Sequence, residues 1–247
     1  MNLSSAIGVT SAIALFIPIA LIIVLRLFNN RSFLAIAIYY LIVFVTTLMK
    51  QAIITAPATV YQSIAITDNF LDAPLLLIFF LFFSSSALMT KRLKLGLFIF
   101  LGLEAIIFVV FGFSVKAVKI ILGPDIAVVL LISFMFFLRY VRLAITNSKS
   151  LGKAIMISSI LLSYSIFSLV YIFFYLIKNR QYREDAQLIY YLISIISALL
   201  MAVGILIEKK RIKKLDELKN TRRELAIIYG EKRITTRDKE SPFLSHE

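Results

Sequence analysis

Seven long apolar stretches, separated by short polar or basic segments, dominate the pattern of residues along the chain. We place them at about 6–27, 32–55, 67–89, 94–114, 120–141, 153–177 and 186–208. Each is close to the roughly 20 residues that a helix needs to cross about 30 Å of hydrocarbon. Apolar residues make up 60% of the chain, well above the share in a soluble domain. The pattern therefore predicts an all-α, polytopic membrane protein with a seven-transmembrane helix bundle.

The chain divides by composition into a transmembrane domain, 1–208, and a basic tail, 209–247. Apolar residues spaced along 209–229 predict that the last helix continues into the tail and ends near Gly230. The polar remainder is expected to be disordered. Residues 209–229 have two interpretations: a solvated helix whose cations rest on an anionic inner leaflet, or a helix that binds a second copy or a cytoplasmic partner.

Lysine and arginine set the expected orientation. With the N-terminus outside, 21 of the 27 Lys and Arg residues fall on the cytoplasmic side and 6 on the outer side. This asymmetry follows the positive-inside rule and predicts a cytoplasmic C-terminus, most simply in a plasma (inner) membrane. The net charge of +13 is then a signal of topology, and we expect no nucleic-acid partner.

The residue inventory excludes several kinds of chemistry. The chain has no Cys and no Trp, and His246 is its only histidine. A disulfide, a Cys-based or His-based metal site and a Ser-His-Asp triad are therefore excluded. Asp68 and Asp72 lie on adjacent turns of one predicted helix. They are therefore poorly placed to contact a substrate from both sides as a catalytic acid and base. We expect a protein that is not an enzyme and holds no metal.

Four acids and one base lie within or at the edges of the spans: Asp68, Asp72, Glu104, Asp125 and Lys50. An ionised Asp at the centre of a membrane helix costs roughly 2.5–3.5 kcal/mol, so such residues usually face the bundle interior and mark a site. We predict that these five form a ligand, proton or ion site in the outer half of the bundle.

Three of these residues also have ordinary structural interpretations. Asp68 could cap the start of the third helix, and Asp125 could occupy a first helical turn behind Pro124. Lys50 could extend to the interface. Asp72 and Glu104 are too deep for such roles, so we expect Asp72 to face the interior near Lys50 or Glu104.

Hydroxyl side chains cluster in the last two spans. Tyr164, Ser165, Tyr191 and Ser194 are candidates for the polar wall of a cavity. The alternative is ordinary membrane packing, in which small hydroxyl residues allow helices to approach and form hydrogen bonds.

The segment TDNFLDAPLLL, residues 67–77, resembles the third helix of microbial rhodopsins, in which an Asp precedes a Pro-Leu-Leu-Leu run. The resemblance implies a seven-helix fold and places Asp68 where that family has its Schiff-base counterion. Glu104 falls where the family often has an acid in the fourth helix. Tyr164 could correspond to a tyrosine of the sixth-helix motif.

The sequence departs from that family at the chromophore. Residues 186–207 contain no Lys, so the seventh helix cannot form the usual retinal Schiff base. Ala65 replaces the arginine that precedes the counterion. Lys50 is the one alternative amine at a suitable depth. We therefore expect no covalent cofactor, and at most a non-covalently bound retinoid, carotenoid or lipid.

Two classes of function fit these observations, together with a third that the sequence leaves open. The first is a sensory or apolar-ligand-binding protein of rhodopsin-like architecture. The second is a proton or ion channel or transporter that uses the intramembrane acids. The third is a structural subunit of a membrane complex.

Overall fold

The computed structural model describes residues 3–146, 150–173 and 181–229, and every regular element in them is helical. Short 3-10 turns at Leu27–Asn29 and Leu81–Phe83 follow the first and third helices. The seven α-helices are α1 (Leu3–Val24), α2 (Arg31–Lys50), α3 (Ala58–Phe80), α4 (Ala87–Phe111), α5 (Val115–Thr146), α6 (Leu151–Tyr171) and α7 (Gln181–Tyr229). Each contains a segment long and apolar enough to cross a membrane. The prediction of an all-helical integral membrane protein with seven spans is confirmed.

The chain forms two compact units, Met1–Ile207 and Glu208–Glu247. In the second unit, the helix is described as far as Tyr229. The first turn of this unit contains an ion pair in which Arg211 donates to Glu208, with Nη2 2.5 Å from Oε1. The expected disorder of 230–247 lies outside the described residues.

The third helix begins at Ala58, nine residues before the predicted start of its span at 67. Pro57 occupies the N-cap position, and Asp68 lies in the helix interior. The interpretation of Asp68 as a helix cap is therefore wrong. Tyr61, Gln62 and Ser63 lower the hydropathy of the first turns of this helix. A prediction based on apolar stretches therefore missed these turns.

The fifth helix also begins before its predicted start. It starts at Val115 and includes Pro124 in its interior. Asp125 therefore lies well inside the helix, and its assignment to a first helical turn is wrong. The side chain is 1% exposed, so it belongs to the buried part of the bundle.

Helix α3 occupies the centre of the first unit, where it packs against α2, α4 and α5. Its C-terminal part enters an aromatic core, and we call this end of the bundle the aromatic end. Five phenylalanine side chains there are at most 1% exposed: Phe33, Phe79, Phe80, Phe83 and Phe136. Tyr140 donates a hydrogen bond of 2.6 Å to the carbonyl of Phe83. Lys153 donates to the carbonyl of Phe82 at 3.1 Å and lies 4.3 Å from that ring's centroid. Dense packing of this kind leaves little free volume at the aromatic end.

Helices α6 and α7 approach each other closely through small residues. Ser159 Oγ donates a 2.7 Å hydrogen bond to the carbonyl of Ser197. Two turns further along α7, Gly204 lies against the backbone of Gly152 and Met156. Small residues and interhelical hydroxyl bonds are the usual means by which membrane helices associate.

Candidate functional site

A cavity of about 670 Å³ lies at the end of the bundle opposite the aromatic end. It is bounded by the end of α2, the first half of α3, the early part of α5, the end of α6 and the described part of α7 near Tyr190. Lys50, one of the lining residues, is exposed at this end of the bundle. The volume falls within the 300–1,000 Å³ range of small-molecule sites.

Tyrosine is the dominant residue type in the wall. Six of the eleven tyrosines in the chain line the cavity: Tyr39, Tyr61, Tyr164, Tyr171, Tyr190 and Tyr191. Tyr164 and Tyr191 were singled out from the sequence, and Tyr171 and Tyr190 belong to the same hydroxyl-rich spans. The four that were not singled out come from four different helices, and their convergence depends on the tertiary fold. One available signal was the absence of Trp, which leaves Tyr as the aromatic residue with a polar end.

Lys50 and Asp68 form the accessible charged part of the wall. Lys50 Nζ lies 5.9 Å from the centroid of the Tyr190 ring, in a cation–π arrangement. Asp68 lies within electrostatic range of Lys50 and accepts a 3.3 Å hydrogen bond from Thr46 Oγ1. The structure thus brings together this predicted base and this predicted acid.

Asp72 lies one turn deeper in α3 and also lines the cavity. Its Oδ1 atom is buried without a hydrogen-bond partner. Tyr164, which is 3% exposed, lies beside Asp72 and interacts with its carboxylate, yet the contact does not reach the geometry of a full hydrogen bond. Buried polar atoms are nearly always paired, so two unpaired atoms that line one cavity indicate a place for a ligand or water.

Asp125 lies behind Asp72, outside the cavity lining. Both of its carboxylate oxygens are buried and have no hydrogen-bond partner. It lies within electrostatic range of both Asp72 and Glu104. The buried end of the cavity is therefore rich in carboxyl groups.

Glu104 faces a different space. It lines a groove of about 380 Å³ with residues of α3 and α4, including Phe70 and Phe108, and it does not belong to the cavity lining. Glu104 is 7% exposed, and its Oε1 atom has no hydrogen bond. Four of the five predicted site residues thus lie in or directly behind one cavity, while the fifth adjoins it through Asp125.

The predicted cavity wall is only partly formed as expected. Tyr164 and Tyr191 line the cavity. Ser194 instead lines a void of about 20 Å³, which is large enough for one water molecule. Ser165 lines neither space and donates to the carbonyl of Leu161 at 2.7 Å. Ser163, which was not singled out, lines both the cavity and the void.

The wall residue Tyr191 accepts a hydrogen bond from Gln51, whose side chain occupies space left free by Gly8. Gln51 donates a 3.0 Å hydrogen bond from Nε2 to the Tyr191 hydroxyl. A Cβ at Gly8 would lie only 2.0 Å from that same Nε2 atom. The absence of a side chain at Gly8 therefore leaves space for the Gln51 amide beside the cavity.

Within the described residues, no group of three or more His, Cys, Asp or Glu side chains is arranged to hold a metal ion. The wall instead offers separate carboxyl groups, one ammonium group and aromatic faces, which suit a small organic ligand. In comparisons with known proteins, no family model matches the chain, and neither a curated protein nor a solved structure is significantly similar to it.

Proposed function

We propose that this protein is a non-enzymatic membrane receptor that binds a small molecule in the tyrosine-lined cavity. The observation that carries the proposal is the cavity itself, which joins Lys50, Asp68 and Asp72 to six tyrosines. Its size and its few convergent polar groups are those of a ligand site.

The aromatic end supports binding over conduction. A channel or transporter needs a polar route across the whole membrane. Between the cavity and the aromatic end lies the void of about 20 Å³, and beyond it Phe79, Phe80 and Phe83 are 0% exposed. Among the described residues of the first unit, the buried acids lie in the half of the bundle that contains the cavity, while Glu208 of the second unit is buried and paired with Arg211.

Conduction remains the second candidate because of one observation. Asp68, Asp72, Asp125 and Glu104 form a series in which each neighbouring pair interacts electrostatically. Series of intramembrane acids are the usual components of proton relays. Proton flux into liposomes that Asp72→Asn abolishes would favour this candidate over the receptor.

The proposed orientation places the N-terminus and the cavity outside the cell and the C-terminus in the cytoplasm, in a plasma membrane. The Lys and Arg distribution supports it. On the cytoplasmic side, residues 209–229 would meet the anionic leaflet or a signalling partner. Leu215 and Leu218 are about half exposed, at 49% and 52%, and offer an apolar contact surface.

The receptor proposal predicts that filling the cavity removes a bound small molecule. Ser163→Phe places a ring in the cavity lining, whereas Ser165→Phe changes the same residue type on the same helix away from the cavity. Native mass spectrometry of protein extracted from its own membrane should detect a bound mass in the parent and in Ser165→Phe. The Ser163→Phe protein should lack it. Equal occupancy in both variants would contradict the proposal.

We also propose a distant relationship to microbial rhodopsins without their covalent chromophore. Among the described residues, Lys50 is the one cavity-lining amine, and it lies beside Asp68 and the Tyr190 ring, which favour its cationic form over the free amine that attacks an aldehyde. Protein mixed with all-trans retinal should therefore develop no visible band that borohydride fixes to the chain. A fixed adduct that Lys50→Arg eliminates would contradict this expectation.

A further inference from the structure

The charge balance of the cavity is incomplete. Its described lining contains two acids, Asp68 and Asp72, and a single cation, Lys50. Lys50 interacts with Asp68, the acid nearer the mouth. Within residues 3–146, 150–173 and 181–229, no cationic side chain interacts with Asp72 or with Asp125 behind it. The inner part of the cavity therefore favours a positively charged occupant.

Buried polar atoms without full hydrogen bonds lie in the same inner part of the cavity. Asp72 Oδ1 and Tyr164 Oη are both buried, and although the two side chains interact, neither atom has a hydrogen bond of full geometry. Tyr164 is 97% buried, so water at the protein surface does not satisfy it. A ligand nitrogen could donate to the carboxylate, and the phenol could serve as a second polar contact. Buried polar groups left without partners cost free energy, which such a ligand would recover.

The aromatic wall suits an organic cation better than a metal ion. Metal ions need several converging oxygen or nitrogen ligands, and the described residues offer no such group. Organic ammonium ions are instead recognised by ring faces together with a carboxylate. Lys50 over Tyr190, at 5.9 Å, shows that a ring in this cavity already accepts an ammonium group on its face.

From these three observations we infer that the ligand of the cavity is an organic cation: an amine or quaternary ammonium group attached to an apolar body. The inference rests on the proposed function and names its ligand class. The ammonium group lies in the cavity against Asp72 and Tyr164, and the apolar body packs on the remaining tyrosines and Phe167. A volume of about 670 Å³ accommodates a body larger than a bare ammonium ion.

The test uses full-length protein in lipid nanodiscs and three probes of the same size. These are 2-phenylethylammonium, neutral 2-phenylethanol and anionic phenylacetate, titrated by calorimetry with empty nanodiscs subtracted. We expect the cation to bind at least about 10-fold more tightly than the alcohol, a difference of 1.4 kcal/mol, and phenylacetate not to bind. Asp72→Asn should weaken the cation about 10-fold and leave the alcohol unchanged.

Two further variants separate charge recognition from misfolding. Glu104→Gln makes the same carboxyl-to-amide change outside the cavity lining, and it should leave cation affinity unchanged. Lys50→Met removes the competing cation, so it should tighten cation binding severalfold, a gain that damaged protein would not show. If Lys50→Met weakens cation binding, the inference is overturned.

The outcomes also distinguish the inference from the proposed function. If the three probes bind equally and Ser163→Phe blocks them all, the cavity is a ligand site but the cation inference is overturned. If no probe binds to the folded parent protein, the cation inference is again overturned, and the mass-spectrometric comparison of Ser163→Phe and Ser165→Phe then decides the receptor proposal separately.

Discussion

Asp125→Leu is expected to raise the melting temperature of the ligand-free protein. The side chain is 1% exposed and neither carboxylate oxygen has a hydrogen bond. A buried polar group without a partner costs about 1–3 kcal/mol, and leucine at this position avoids that cost while filling a similar space. A gain of about 2 kcal/mol corresponds to a shift of roughly 4–8 °C in a chain of this size. Thermal unfolding in one detergent measures it.

The matched control for this prediction is Asp125→Asn, which removes the charge but keeps a polar group that needs hydrogen bonds. Its melting temperature should lie between those of the parent protein and Asp125→Leu. The reverse order, with leucine the least stable, would show that the Asp125 carboxyl contributes a stabilising interaction. Asp125 would then be a structural residue and not a stability cost retained for function.

Gly204→Leu is expected to have the largest destabilising effect. A Cβ at this position would lie 2.5 Å from Met156 Cγ, 3.0 Å from Met156 N and 3.1 Å from Gly152 O. The last two atoms belong to the α6 backbone, which cannot move aside as a flexible side chain can. Helices α6 and α7 must therefore separate, which also weakens the Ser159–Ser197 contact. Overpacking of this kind costs about 1–3 kcal/mol, and we expect the upper end.

Gly102→Leu provides the control for this effect. Gly102 also lies within a transmembrane helix, but a Cβ there meets no atom within 4 Å. The same substitution should leave the melting temperature unchanged or slightly raised, because leucine favours the helix more than glycine does. Equal losses of stability in both variants would indicate a general cost of leucine and contradict tight packing at Gly204.

The helical architecture could be predicted from the sequence because the cost of unpaired backbone groups in lipid leaves few alternatives. Seven apolar stretches gave seven helices. The start of α3 was missed because Tyr61, Gln62 and Ser63 made its first turns look like a loop. Of these three residues, Tyr61 lines the polar cavity, while Gln62 and Ser63 are exposed, and neither environment selects for the apolar residues by which a span is recognised.

The candidate site was predictable only in part. Asp68, Asp72 and Asp125 could be singled out because an acid within a membrane span is costly and needs a reason. The tyrosines of the cavity carry no such signal, since Tyr is common at membrane interfaces. Their convergence depends on helix rotation and packing, which no single span specifies. The separation of Glu104 into its own groove depends on the same contacts between helices.

We propose that the cavity opens to the outside of the cell and favours cations. The chain has no Cys, so a Ser163→Cys variant carries a single thiol in the cavity wall. Intact cells would be treated with two membrane-impermeant thiosulfonates, one with a trimethylammonium group and one with a sulfonate. A Thr221→Cys variant, in the segment that we propose to be cytoplasmic, provides the control and should react only after the cells are permeabilised.

We predict that Ser163→Cys reacts in intact cells and that the trimethylammonium reagent reacts several times faster than the sulfonate reagent, relative to their rates with a free thiol. The carboxyl-rich cavity would concentrate the cation and repel the anion. Reaction only after permeabilisation would contradict the orientation. Faster reaction with the sulfonate would contradict the selectivity of the cavity for cations.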